Sequence, residues 1–286
     1  GPRGFFLSRL GVTMESAIVL DKNYLQGSSG ADVLVLGSKH RLVMPGPLFF
    51  ELLTTDPQAR QRCFSKLPQA ENPVELIDHI GLLLSHEMRT GSPAGRPSSH
   101  RLQMRFKFNA RLREADYSLP HEAQQAIDEM AAQFDTEVDQ LVDLSEQTPS
   151  LFPDILKGNA EAQRADHADI ECLIADPSKM LDFYSVLESP DPSLPYPAIK
   201  TRPEEWALIR WLQVKMLFAV NLFMRYRGSL RASLSPGVLT RLEHDVHDAQ
   251  ILALGVLEGA LATHEVKLRR WFRLLQPAGL LQPSDT

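Results

Sequence analysis

Ser16-Ala17-Ile18-Val19-Leu20 is a short apolar run that stops abruptly at Asp21. A run this short, with no polar alternation, suits a strand buried on both faces, the kind found in parallel sheets. Parallel strands need crossover connections, usually helical, so this one feature directs the chain toward an α/β layer. Residues 22–38 hold Gly27-Ser28-Ser29-Gly30, read as a plain turn, and a second apolar run from Val33 to Leu36. Arg41-Leu42-Val43-Met44 reads as another strand, stopped by Pro45-Gly46-Pro47. Pro47 suits the first turn of a helix running through Phe50, Glu51 and Leu53.

From about residue 60 to 240 the pattern changes to helices separated by Pro- and Gly-rich loops. Pro73 to Met88 is helical in period, and Thr90 to Ser99 reads as a flexible loop. His121 to Leu144 is an acidic amphipathic helix, with Ile127, Met130, Phe134, Val138 and Leu141 at spacings of 3 and 4. Ser189 to Pro203 reads as an extended connector, and Pro203 opens an apolar helix through Arg227. The last stretch returns to the first pattern. Val238 to Leu257 is helical with Gly259 as its stop, Ala260 to Thr263 is a short strand, and Val266 to Leu275 is a basic amphipathic helix. The expected fold class is therefore α/β: a parallel sheet flanked by helices, its halves at 14–60 and 238–286. A mostly helical insertion at 61–237 splits the sheet, and residues 1–13 form a tail too short for a signal peptide. The best membrane candidate, Trp211 to Tyr226, is interrupted by Lys215, Asn221 and Arg225 where about 20 clean apolar residues are needed. No membrane partner is expected.

Charge limits the partners. Lys plus Arg number 30 against 36 Asp plus Glu, for a net −6, so any contact with nucleic acid must be a local patch. Cys63 and Cys172 are the only cysteines and lack a pairing or metal motif, which points to two buried thiols and a reduced, cytoplasmic compartment.

Four stretches at the two ends carry candidate chemistry. Asp21, with Asn23 two residues on, ends a buried strand, where open α/β sheets bind ligands. Glu51 follows three apolar residues on a mostly buried helix, a costly place for a carboxylate without a partner. Asp248 leads Ala249-Gln250-Ile251-Leu252-Ala253, and Glu265 closes Leu261-Ala262-Thr263-His264-Glu265. In this order the four stretches resemble the PIN-domain nucleases over roughly residues 14–56 and 238–275. Two departures stand out: the last acidic position is Glu265 rather than the usual Asp, and the gap from 51 to 248 is far longer than the family's.

The resemblance implies a PIN-like, divalent-metal-dependent endonuclease, acting on single-stranded or structured RNA rather than DNA. Asp21, Glu51, Asp248 and Glu265 would be its catalytic and metal-binding carboxylates. Phosphodiester hydrolysis builds charge on the attacking and leaving oxygens, which one or two Mg²⁺ or Mn²⁺ ions neutralise while activating water. Such hard ions take oxygen ligands. Asn23 and Thr263 are the supporting polar residues. Asp245 and Asp248 share a helix face, so either can be the ligand, although the Ala-x-Ile match favours Asp248.

Lys267, Arg269, Arg270 and Arg273 lie just past Glu265 as a candidate phosphate-binding patch. His100 to Arg113 interleaves five cations with aromatics, as single-strand binders do. The insertion would shape substrate access or bind a regulatory protein. Two alternatives stand beside this: a catalytically degenerate PIN-like scaffold, and an HD-type metal phosphohydrolase suggested by the His244-Asp245 and His247-Asp248 pairs on one helix, which lacks a convincing earlier histidine since His79 and His86 carry no motif.

Overall fold

The computed structural model describes residues 16–100, 108–189 and 192–284. Its first half runs β1 (Ala17–Leu20), α1 (Lys22–Gly27), α2 (Gly30–Lys39), β2 (Arg41–Pro45), α3 (Gly46–Thr54), α4 (Pro57–Ser65), β3 (Glu75–Ile77) and α5 (Ile80–Thr90). Then come α6 (His121–Leu151), α7 (Ala160–Ala175), α8 (Pro177–Tyr184), α9 (Ala207–Tyr226), α10 (Pro236–Glu258), β4 (Ala260–Ala262), α11 (Val266–Leu275) and β5 (Leu280–Gln282).

The five strands form one sheet in the order β3-β2-β1-β4-β5, and every pairing is parallel. Val19 of β1 stands opposite Val43 on one side and Leu261 on the other, so the two ends of the chain share a sheet. All four residues of β1 are buried, as the unbroken apolar run requires. From β1 the chain first builds outward through β2 and β3, then returns to the other side of β1 for β4 and β5. The strand order therefore reverses between β1 and β4. Connections leave this point in opposite directions and open a crevice at the carboxyl ends of the strands.

Helix α10 joins the sheet to the helical part. Val246 and the run Ala249 to Val256 are buried, and the helix packs on β1 and β4 as well as on α6 and α9. Gly255 permits this approach: a Cβ there would stand 3.1 Å from Leu261. Gly259 ends the helix at φ 81°, in the left-handed region where glycine carries no Cβ penalty.

Several sequence expectations need correction. Pro73–Met88 is not one helix. Leu76 and Ile77 pair with Met44 and Pro45 in the sheet, Arg41 grips the Glu75 carboxylate, and His79 caps α5 by accepting from the Gly81 N–H. The sheet thus claims residues beyond 60, and β5 is a further strand after the last helix. Residues 22–38 form two helices rather than a turn with an apolar run, split where Ser29 and Asp32 cap each other's backbone. The loop before Ser99 is pinned, not free, because the buried Glu258 carboxylate accepts from Ser98 N and Oγ, each at 2.9 Å. Cys63 is buried, but Cys172 is exposed. Helix α9 is long and apolar enough to cross a bilayer by length and composition, and 72% of its most apolar window is buried inside the protein. The tail at 1–13 lies outside the described residues.

Candidate active site

A cleft of about 310 Å³ opens at the strand reversal, lined by Asp21, Lys22, Asn23, Gln26, Glu51, His244, His247, Asp248, Ile251 and Glu265. All four candidate carboxylates reach it from separate segments. Asp21 follows β1 directly. Its side chain is 5% exposed, and Thr263 Oγ1, 242 residues along the chain, donates to Asp21 Oδ2 at 2.5 Å. The same Thr263 oxygen accepts from the Glu265 N–H, so one hydroxyl ties the ends of β1 and β4 together. Glu265 begins α11, and Asn23 Nδ2 donates to it at 3.4 Å. Asn23 and Thr263 therefore support opposite carboxylates.

Glu51 stands on α3, whose neighbours Leu48, Phe49, Leu52 and Leu53 turn into the core and leave it half-buried at the cleft. Lys22 Nζ donates to it at 2.8 Å, and His247 Nδ1 lies 4.0 Å away. Lys22 is the partner this buried position demanded. His247 is itself stacked on Phe134 of α6, with centroids 4.0 Å apart. Burial pulls the His247 ring below its ordinary range, with Glu51 acting the other way.

Asp248 lines the cleft, whereas Asp245 does not. Asp245 is buried between Lys267 Nζ at 2.7 Å and Arg225 Nη1 at 3.1 Å, so two cations already satisfy it. Lys267 also reaches Asp248 at 3.1 Å. Burial pushes the Asp248 carboxyl up to about 7 against the pull of Lys267, with Asp21 adding to the rise. Asp21 is raised to about 6, again by burial first, with Glu51 and Glu265 contributing and the Thr263 hydrogen bond opposing. These are the electrostatics of carboxylates crowded into a partly desolvated crevice.

Three cations of the expected basic patch have partners within the protein. Lys267 neutralises Asp245 and Asp248. Arg269 donates to the Thr263 and Pro283 carbonyls, which staples β4 to the chain after β5. Arg270 grips the buried Glu171 on α7 with both guanidinium nitrogens. Lys267 and Arg270 meet acidic groups because α11 lies back across α10 and α7. In the other basic stretch, residues 101–107 lie outside the described residues. Arg113 donates to the Phe64 and Pro68 carbonyls, and Arg111 faces Glu114 and Tyr117.

Of the histidines weighed for the HD-type alternative, His244 and His247 line the cleft beside Asp248, and the earlier histidine that reading needs is not among them. His264 turns away from the cleft to stack on Tyr24 and meet Ser28. His79 caps α5 and lies in a separate pocket with His100. Sequence reading missed Lys22, although it adjoins Asp21, and it did not place His244 and His247 on the carboxylate wall. Among the described residues, no three His, Cys, Asp or Glu groups stand together as a ready metal cage. The chain matches no protein-family model, no curated protein and no solved structure, so the geometry of this cleft is what a functional reading rests on.

Proposed function

We propose that this protein is a divalent-metal-dependent phosphodiesterase acting on nucleic acid, on RNA in preference to DNA, with Mg²⁺ or Mn²⁺ as its ion. One observation carries the reading. Asp21, Glu51, Asp248 and Glu265, from four separate segments, line a single cleft at the strand reversal of a parallel sheet, the place where open α/β sheets take their ligands.

The donor set suits a hard divalent ion in kind, since all four groups are carboxylates. It suits the ion in charge as well, because burial, with the neighbouring carboxylates adding to it, makes Asp21 and Asp248 hold protons above the ordinary carboxylate range. Spacing is where it falls short, for a stated reason: Lys22 draws Glu51 and Lys267 draws Asp248. A bound divalent ion supplies charge neutralisation on the phosphate oxygens and acidifies water. The chain's own residues do the rest. Thr263 fixes the Asp21 carboxylate, Asn23 orients Glu265, and Lys22, once released from Glu51, is the cleft cation that can meet a phosphate oxygen.

The same lysine pairs favour a second reading, the degenerate scaffold, because they balance the carboxylates without any metal. Mn²⁺-dependent cleavage of a single-stranded RNA, with the matching DNA alongside, separates the two. Wild type should cut the RNA, and Asp248→Asn should lose activity by orders of magnitude while staying folded. Asp245→Asn should instead lower stability, since it removes the buried carboxylate that Lys267 and Arg225 share. No cleavage by wild type, with no change in melting on adding Mn²⁺, would leave the scaffold reading.

A further inference from the structure

A second cavity, of about 570 Å³, lies away from the carboxylate cleft between α5, α6, α9 and the segment that follows α8. Its walls are apolar: Leu84, Leu144, Leu187, Leu208, Trp211 and Leu212 all face it. Each is only half-buried, packed on the core on one side and open to the cavity on the other. Two hydrogen bonds among the described residues tie the wall after α8. Tyr184 Oη donates to the Pro197 carbonyl at 3.0 Å and Ser189 Oγ donates to the Leu194 carbonyl at 2.7 Å. Pockets of roughly 300–1,000 Å³ with apolar walls and a few fixed polar groups are the usual form of small-molecule sites.

The charged groups of the lining, Asp143 and Lys215, stand on α6 and α9. Lys215 Nζ donates to Gln140 Oε1 at 3.0 Å and stands 5.7 Å from the Trp211 ring centroid. An ammonium has three donors, and Gln140 takes one. Burial pulls Lys215 below the ordinary lysine range, with Glu137 acting the other way, so the cation lacks full hydration and gains from an anion. Asp143 on the same rim is already engaged by Arg231, and the hydrogen bonds of Glu137 go to Gln250, so Lys215 keeps donors for a ligand.

We infer that this cavity binds a small amphipathic monocarboxylate, its aliphatic chain among the leucines and its carboxylate on Lys215. One half-desolvated point charge pairs with a single negative charge, and seven aliphatic wall residues (the leucines named, with Met88 and Leu194) match a hydrocarbon chain. Trp211 gives a direct readout, because it lies on the cavity wall while Trp206 and Trp271 are buried.

The test titrates the full chain with dodecanoate, dodecanol and dodecylamine below their micelle concentrations, by calorimetry and tryptophan fluorescence. Dodecanoate should bind saturably at one site, at least tenfold tighter than dodecanol, with dodecylamine weakest. Lys215→Met should bring dodecanoate down to the dodecanol level, Lys215→Arg should keep the preference, and Leu144→Trp should fill the cavity and abolish both. Equal binding of acid and alcohol to the wild type would overturn the proposal. So would an unchanged preference in a folded Lys215→Met protein, or no saturable binding at all. None of these outcomes depends on whether the carboxylate cleft is catalytic.

Discussion

Replacing Asp21 by Asn should stabilise the metal-free protein at neutral pH, by an amount that shrinks as pH falls. Asp21 is 5% exposed at the end of β1, and its carboxyl is raised from 3.8 to about 6, mainly by burial. The sign follows from linkage: between those values the folded state holds a proton that the unfolded state has released, so stability falls as pH rises through the window. At about 1.4 kcal/mol per pH unit, the ionised group costs the fold about 3 kcal/mol above pH 7. Asn has the shape of the protonated acid, and its Oδ1 can accept from Thr263. Its amide donors must find new partners, at about 1 kcal/mol, which leaves a gain of about 2 kcal/mol. For a chain of this size that is about 3 °C in melting temperature. Urea titrations in EDTA from pH 4 to pH 8 measure it. The variant should be slightly less stable than wild type at pH 4, cross it between about pH 4 and pH 5, and lie level at about 2 kcal/mol above it beyond pH 7. An equal gap at pH 4 and pH 8, or a destabilised variant at pH 8, would refute the reasoning.

Other expectations follow from the same contacts. Lys267→Met should lower stability by about 3 kcal/mol or more, as breaking a buried ion pair does, because Asp245 keeps Arg225 alone; a wild-type urea midpoint would show that Lys267 is a surface cation after all. Glu87 is fully buried and accepts from the Ala94, Ala207 and Leu208 N–H groups at 2.7–2.9 Å. Glu87→Ala orphans all three donors at about 1–3 kcal/mol each, so its unfolding midpoint should fall further than that of Glu87→Gln.

How much could be read in the sequence depended on how locally each feature is encoded. Strands β1 and β4 are bare apolar runs, fully buried, and the pattern found them. Strands β3 and β5 have three residues each and are only partly buried, so they carry no period to detect. Their pairing is decided by neighbours far along the chain. Helices α6, α10 and α11 were legible from their apolar spacing. The carboxylates at the cleft follow from their places at strand ends and on the adjoining helices, which is local information. The fate of the cations does not. Lys267 looks like a surface lysine of a basic helix until α11 is laid across α10, and Arg270 meets Glu171 from 99 residues away. Asp245 and Asp248 share a helix face, yet only tertiary packing decides that Arg225 and Lys267 enclose the first and the cleft receives the second.

The central claim, that the four carboxylates form a divalent-ion site, is tested most directly by anomalous diffraction from crystals grown with Mn²⁺. The account predicts a manganese peak in the cleft with carboxylate oxygens of Asp21 and Asp248 about 2.0–2.2 Å from it, the range of hard-ion contacts. Lys22 should have moved off Glu51, or Lys267 off Asp248. Saturating Mn²⁺ with no peak in the cleft, and both lysine pairs intact, would contradict it.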